Sequence, residues 1–167
     1  MQALSKLFLI VAMTVLAGAA VAQGTVVPFG SISADRTAPV EISADSLSVD
    51  QADGAAIFEG NVVVVQGGLQ LNAGMIRVEY ATEETDAGSG ISRLVASGGV
   101  SFLSASEKAE ADAAIYDLIA NTVTLEGSVL LAQGNKALSA EKAVIEIGSG
   151  RAALSGRVRT ILQAGGN

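Results

Sequence analysis

A glycine-centred motif recurs four times along this chain and constrains its fold more than any other feature. Each copy reads apolar, polar, Gly, variable, Val, and the central glycines are Gly60, Gly98, Gly127 and Gly156. The last two intervals between these glycines are equal, and the first is longer. Self-similarity at a period of about 20 to 50 residues is typical of repeated supersecondary units that bury their apolar faces only by stacking. The sequence therefore predicts an array of about four repeats with a shared interior.

A second motif repeats with the same two intervals, and here the middle interval is the longer one. Its four copies are Ile42–Asp45, Leu71–Gly74, Ala109–Asp112 and Leu138–Glu141. Within one repeat, Ile76 and Val78 alternate with Arg77 and Glu79, which is the period of a strand with one dry face and one solvated face. We therefore expect each repeat to consist of long antiparallel strands bounded by glycine-rich turns.

The recurring glycine lies inside a strand rather than at a hairpin tip. Glycine at such a position marks a bulge or bend, where a strand passes from one sheet to another. Four repeats with bent strands predict an all-β protein with two facing sheets. One segment, residues 107–114, has a composition that also favours a helix, although the repeat register assigns it to a strand. The extra length of the longest repeat falls in an acidic loop, Ala81 to Gly90, which we expect to be solvated.

Residues 1–22 precede the array and have the pattern of a cleavable signal peptide. Lys6 is followed by an apolar run, and Ala20-Val21-Ala22 forms a small-x-small cleavage site, so we expect removal after Ala22 and export. A retained membrane anchor is the alternative, but the apolar run is shorter than the roughly 20 residues that span a bilayer. We expect residues 23–38 to form an N-terminal segment and residues 163–167 a flexible tail.

Composition excludes several functional classes. After cleavage, nine cations face 17 carboxylates, a net charge of −8, which argues against a nucleic-acid partner or an anionic membrane surface. The chain has neither histidine nor cysteine, so the commonest general base, metal ligands and thiol nucleophile are missing. A calcium site at Asp50 and Asp53 has no supporting EF-hand pattern. We predict no enzymatic activity, no cofactor and no metal site.

Several segments resemble the LptA/OstA family of periplasmic lipopolysaccharide-transport proteins. The resemblance rests on Pro39–Leu47, Phe58–Gly67 and Leu71–Ala73, and on the later repeat Leu125–Val129 with Gln133–Asn135 and Leu138–Ala140. It implies a twisted, open β-jelly roll over residues 39–162, with about 16 short antiparallel strands around an apolar groove that carries lipopolysaccharide acyl chains. It also implies a periplasmic bridge made by head-to-tail docking with further copies, with an inner-membrane LptC-like jelly roll and with an outer-membrane LptD-like N-terminal jelly roll.

Strand register and resemblance together select candidate groove residues. They are Ile42, Phe58, Val64, Ile76, Val78, Phe102, Tyr116, Leu118, Leu125, Leu131 and Ile145. Leu47 and Val49 are also expected to point inward. Ordinary core packing explains aliphatic residues on such a face equally well. Two functions therefore remain open: a lipid carrier, or a structural repeat protein that polymerises edge to edge around a closed core.

The ends of the array are candidate docking edges. The last strand, with Arg157, Val158, Arg159 and Thr160, has no following repeat to pair with, and an unpaired strand edge is a template for another chain. At the other end we expect Val26–Pro28 together with Val40, Glu41 and Ile42 to offer the opposite edge. Alternatively, the two arginines protect the last edge from pairing, because cations are a common edge defence.

Overall fold

The computed structural model describes residues 25–28, 37–50, 52, 54–81 and 90–162, and it is built from strands. The strands are β1 (Thr25–Pro28), β2 (Val40–Ser43), β3 (Ser46–Val49), β4 (Ala56–Gln66), β5 (Leu69–Tyr80), β6 (Ile91–Leu103), β7 (Glu107–Asp117), β8 (Thr122–Gln133), β9 (Lys136–Glu146), β10 (Arg151–Ser155) and β11 (Arg159–Leu162). Within these ranges no helix is long and apolar enough to cross a membrane. The predicted signal peptide, the C-terminal tail and most of the acidic loop lie outside the described residues.

All strand pairs are antiparallel, and the long strands pair in the order in which they follow one another along the chain. The order across the sheet is β1-β10-β9-β8-β7-β6-β5-β4-β2, with β11 also pairing with β9 and β3 also pairing with β4. Such a meander needs only short hairpin turns, and Gly67-Gly68 and Gly134-Asn135 provide two of them. The predicted all-β architecture is confirmed, but the described residues form eleven strands, six of them long, and not about 16 short ones.

Each long strand is interrupted near its middle, where the pairing register shifts. In β4 the shift falls between Glu59 and Val62, and in β8 between Glu126 and Val129. The interruptions divide the long strands into two halves, so the array consists of two half-sheets joined along a line of bends. Half-sheet A has β2 and β11 at its edges, and half-sheet B has β3 and β1.

The recurring glycines form these bends. Gly60 and Asn61 have φ values of 80° and 46°, and Gly127 and Ser128 have 73° and 48°, so each bend contains two consecutive left-handed residues. A glycine is required at the first position for a second reason. A Cβ on Gly60 would lie 2.5 Å from Asp45 Oδ2 and 2.9 Å from Asp45 Cβ.

The second recurring motif supplies the residue that faces each glycine. Asp112 lies against Gly127 as Asp45 lies against Gly60, and Glu141 lies against Gly156. The offset along the chain between the acidic residue and its glycine is the same in all three cases. Asn61 Nδ2 donates a hydrogen bond of 2.8 Å to Asp45 Oδ2, which ties the two motifs together across the bend.

The two half-sheets face each other across one apolar core. Tyr116 of β7 donates a hydrogen bond of 3.0 Å from its hydroxyl to Oε1 of Gln66 on β4, although two strands separate β7 from β4 in the sheet order. The contact requires the array to fold over along the bends. The prediction of two facing sheets is therefore confirmed, and the Tyr116 hydroxyl has a polar partner.

Three expectations need correction. Residues 107–114 belong to strand β7, so the helical alternative is wrong. Val26–Pro28 does not lie beside β2, because β1 pairs with β10 at the C-terminal end of the array. Arg157 is not part of the last strand: it lies at the fourth bend with a φ of 41°, and β11 begins at Arg159. The domain limits of residues 39–162 remain a prediction, to which β1 adds a strand from the N-terminal segment.

Candidate functional site

The space between the half-sheets is lined by rows of side chains that run across the array from edge to edge. Strand pairing defines each row, because directly paired residues point to the same face. Two rows in half-sheet B are Leu47-Phe58-Ile76-Ala96-Ala114-Leu125-Ala143-Leu154 and Val49-Ala56-Val78-Leu94-Tyr116-Val123-Ile145-Ala152. The facing row in half-sheet A is Ile42-Val64-Leu71-Phe102-Ala109-Leu131-Leu138-Thr160.

The structure brings the predicted groove residues together in the interior between the half-sheets. Eight of them are buried: Val64, Ile76, Val78, Phe102, Tyr116, Leu125, Leu131 and Ile145. The other three are half-buried and pack against the core: Ile42, Phe58 and Leu118. Ile76 and Leu131 have no solvent exposure, so the interior is filled by its own side chains. A guest chain would have to part the half-sheets.

The interior is unsealed at one edge of the array. Leu47 and Val49 of β3 occupy the inward rows, as predicted, yet they are 58% and 60% exposed. Their exposure follows from position, since β3 is the outermost strand of half-sheet B and no further described strand covers it. Repeat arrays ordinarily end in units with a polar outer face, so this apolar end is unusual for an array that stays monomeric.

The predicted edge residues lie on β2 and around β11. Val40 and Ile42 are half-buried on the interior side of β2, and Glu41 is exposed. At the opposite edge Arg159 and Thr160 are exposed on β11. Arg157 and Val158 have other roles.

Arg157 and Val158 belong to the fourth bend. Arg157 Nε donates a hydrogen bond of 2.6 Å to Glu141 Oε1, which is the counterpart of the Asn61 contact at the first bend. Val158 packs against the core. Of the two arginines proposed as edge protection, Arg157 is thus engaged within the bend.

A polar cluster lies where the hairpin turns of half-sheet A meet half-sheet B, on the side opposite the bends. We call this side the mouth. Gln66 and Glu107, which end β4 and begin β7, are 7% and 5% exposed and are the buried polar residues of the described chain. Gln66 accepts from Tyr116 and donates from Nε2 to the carbonyl oxygen of Ala38 at 3.3 Å. Gln133 Nε2 donates to Glu107 Oε1 at 2.8 Å.

Gln66 and Glu107 are not among the residues predicted from the sequence. The alternation of side chains along β7 could have predicted the burial of Glu107. Glu107 precedes Ala109 and Ala111 by two and four positions and therefore shares their inward face. Burial raises the pKa of the Glu107 carboxyl above its usual range, and the hydrogen bond from Gln133 opposes that shift in part. The cluster places hydrogen-bonding groups at the border of an otherwise apolar interior.

The outer faces of the half-sheets carry cross-strand ion pairs. Lys142 Nζ lies 2.8 Å from Glu126 Oε1, and Arg93 lies between Glu79 and Asp117, at 3.4 and 3.7 Å. These side chains are largely solvated, so each pair contributes about 0 to 1 kcal/mol. The cations are thus neutralised on the outside of the molecule and do not line the interior.

The described residues contain no group of three or more carboxylates positioned to hold a metal ion. Asp50 of the proposed calcium pair lies 3.6 Å from Arg77 NH1, which supplies a counterion, and Asp53 is outside the described residues. The interior therefore offers apolar contacts and a few hydrogen-bonding groups, which suits the enclosure of an apolar chain.

Comparison with known proteins identifies the family. Residues 41–152 match the model of the LptA/LptD N-terminal domain family of lipopolysaccharide-transport proteins. The chain belongs to this family. The match covers both recurring motifs through the third bend, and it includes the eleven predicted groove residues.

Two individual proteins are similar to this chain. An uncharacterized protein of Rhizobium meliloti (strain 1021) is 30% identical over 153 residues, which cover 87% of this chain and 82% of that protein. A crystal structure of LptH, the periplasmic LptA homologue of the Pseudomonas aeruginosa lipopolysaccharide-transport device, superposes with a TM-score of 0.69 at 20% identity. The superposition covers 78% of this chain and 99% of LptH. The predicted open β-jelly roll is confirmed as the LptA-like fold.

Proposed function

We propose that this protein is a periplasmic carrier of lipopolysaccharide that holds the acyl chains between its two half-sheets. An acyl chain gains about 0.8 kcal/mol for each CH₂ removed from water, so it does not cross an aqueous compartment unshielded. Family membership supports this cargo, and the expected signal peptide supports export to the periplasm. The uninterrupted apolar rows supply the required surface.

The family match is the observation that favours the carrier over the closed structural array, and the exposed apolar end at β3 fits the docking that both functions require. Leu47 and Val49 continue the interior rows to the surface, where a second jelly roll docking on β3 and β2 would extend both the sheet and the apolar interior. In this proposal the interior is a segment of a longer path. The closed structural array predicts an interior packed by its own side chains, as observed. The carrier therefore requires that the half-sheets part when cargo enters.

The bridge extends this proposal to partners. We infer that the β2 and β3 edges dock against β11 and β1 of another copy, and that the two ends dock on an LptC-like jelly roll at the inner membrane and an LptD-like N-terminal jelly roll at the outer membrane. Both edges offer strands without a further described neighbour. A head-to-tail contact of this kind does not close on itself, so the oligomers are open-ended.

Photo-crosslinking tests the cargo assignment. We expect a crosslinking residue at Phe102, which lies on an inward row, to capture lipopolysaccharide, and one at Glu126 on the outer face of β8 to capture none. Phe58 is a second inward site, and because it is half-buried it tolerates the bulky crosslinker better than Phe102. Equal capture from inner and outer sites would contradict the carrier proposal, as would no capture from either inner site.

A further inference from the structure

Glu107 is a buried carboxyl with an unused hydrogen-bonding atom. The side chain lies on the inward face of β7 with Ala109, and the residue is 5% exposed. Gln133 occupies Oε1, whereas Oε2 has no hydrogen-bond partner among the described residues. A buried polar atom without a partner costs about 1 to 3 kcal/mol, so a protein with no use for it would gain by replacing it.

The chemistry of this atom depends on its protonation. Burial favours the neutral acid and raises the pKa of Glu107. Since Gln133 donates its N–H to Oε1, the proton of the neutral acid belongs on Oε2. In that state Oε2 is a hydrogen-bond donor beside the apolar interior. The neutral acid can therefore donate to a neutral acceptor oxygen. The ionised carboxylate would instead repel a phosphate.

The position of Glu107 identifies which part of a guest would meet it. Glu107 begins β7 and pairs with Gln133, the last residue of β8. Both therefore lie at the mouth, beyond the last apolar row of half-sheet A. Phe102 and Ala109 lie one row deeper. Consider an amphiphile whose acyl chain runs across these rows from the mouth toward the bends. Its first polar atoms, the ester or amide carbonyl and nearby hydroxyls, then lie at the level of Glu107.

We propose that Glu107, held by Gln133, is a hydrogen-bonding site for the carbonyl or hydroxyl oxygen at the junction between acyl chain and headgroup of the bound amphiphile. The inference rests on the proposed carrier function and adds a residue that fixes the depth and direction of the guest. Chains would enter with their carbonyl end at the mouth and their methyl end toward the bends.

Two amphiphiles that differ in the carbonyl alone test this assignment. The first, 6-O-dodecanoylglucose, carries an ester carbonyl next to the chain, and the second, 6-O-dodecylglucose, is the ether with a methylene in its place. Binding of each, and of purified lipopolysaccharide, is measured by calorimetry to the chain from Gln23 onward in three forms: wild type, E107Q and E107L. Circular dichroism reports whether each form is folded.

One hydrogen bond corresponds to an affinity ratio of about five to ten between the ester and the ether probe. We expect this preference in the wild type and in E107Q, whose side-chain amide also donates, and its loss in E107L. The wild-type comparison needs no variant, so misfolding of E107L leaves the test decisive. Equal affinity of the wild type for both probes, with lipopolysaccharide still bound, overturns the Glu107 site alone. A wild type that binds no lipopolysaccharide overturns the carrier proposal and this inference with it.

Discussion

Replacement of Gly60 by alanine tests whether the bends depend on close contact between the two recurring motifs. The new Cβ would lie 2.5 Å from Asp45 Oδ2 and 2.9 Å from Asp45 Cβ, and the Cβ contact cannot be relieved by rotating a side chain. Gly99 is a matched control. It lies in the second bend at a φ of 82°, close to the 80° of Gly60, and a Cβ added there would have no atom within 4 Å.

A left-handed backbone conformation costs a residue with a Cβ about 1 to 2 kcal/mol of folding free energy, and both alanine variants incur this cost. The overpacked contact adds about 1 to 3 kcal/mol in Gly60→Ala alone. We therefore expect the free energy of unfolding to fall by about 1 to 2 kcal/mol in Gly99→Ala and by about 2 to 5 kcal/mol in Gly60→Ala.

Urea denaturation of the chain from Gln23 onward, followed by far-ultraviolet circular dichroism, measures both values. Asp45→Gly reproduces the Gly74–Gly98 arrangement of the second bend and removes the clashing Cβ. In the double variant Asp45→Gly/Gly60→Ala the loss should therefore be smaller than the sum of the single losses, by about 1 kcal/mol or more. Additive losses, or equal destabilisation by Gly60→Ala and Gly99→Ala, would refute the packing argument and leave backbone conformation as the sole role of the glycine.

Three further predictions concern assembly, pH and salt. The double variant Leu47→Lys/Val49→Lys should lose the concentration-dependent oligomers seen by light scattering, while its monomer stays folded. The control Leu130→Lys, at a 40% exposed site on the outer face, should keep the oligomers. A wild type that stays monomeric would contradict edge docking. Because the pKa of Glu107 is raised in the folded state, its contribution to stability is present below the unfolded pKa of about 4.3 and is lost as pH rises through the folded pKa. E107Q should therefore gain stability relative to the wild type in urea titrations as the pH rises above the unfolded pKa of about 4.3, and parallel curves would refute this. Binding of lipopolysaccharide should change little between low and moderate salt, since Arg93 and Lys142 lie on the outer faces and are paired with carboxylates. A steep loss would point to phosphate contacts.

The sequence predicted the bends because the signal is local and repeated. The motif around Gly60, Gly98, Gly127 and Gly156 requires a left-handed glycine at each copy, whatever the rest of the fold does. The two recurrences were visible separately, and the offset that three of the four repeats share was the signal that Asp45, or its equivalent, packs on the glycine.

Two features were beyond local reasoning. The pairing of β1 with β10 depends on a very short strand whose partner lies near the other end of the chain, and nothing in Val26 or Val27 specifies that partner. Glu107 was part of residues 107–114, whose composition also favours a helix, and no burial was predicted for it. Its burial follows only when strand parity is given more weight than charge, and its lack of a second partner depends on which side chains surround it in three dimensions.

The position of β1 also has a consequence for folding. Every other strand pair joins neighbours in the chain order or strands separated by a single strand, so these hairpins form as soon as their residues are present. Thr25, in contrast, pairs with Leu154, and this pair encloses eight intervening strands and has the largest loop-closure cost in the described sheet. A chain that is synthesised N-terminus first therefore has to keep β1 unpaired until β10 arrives. Docking of β1 then becomes a late step of folding, and it is completed only after the rest of the array has formed.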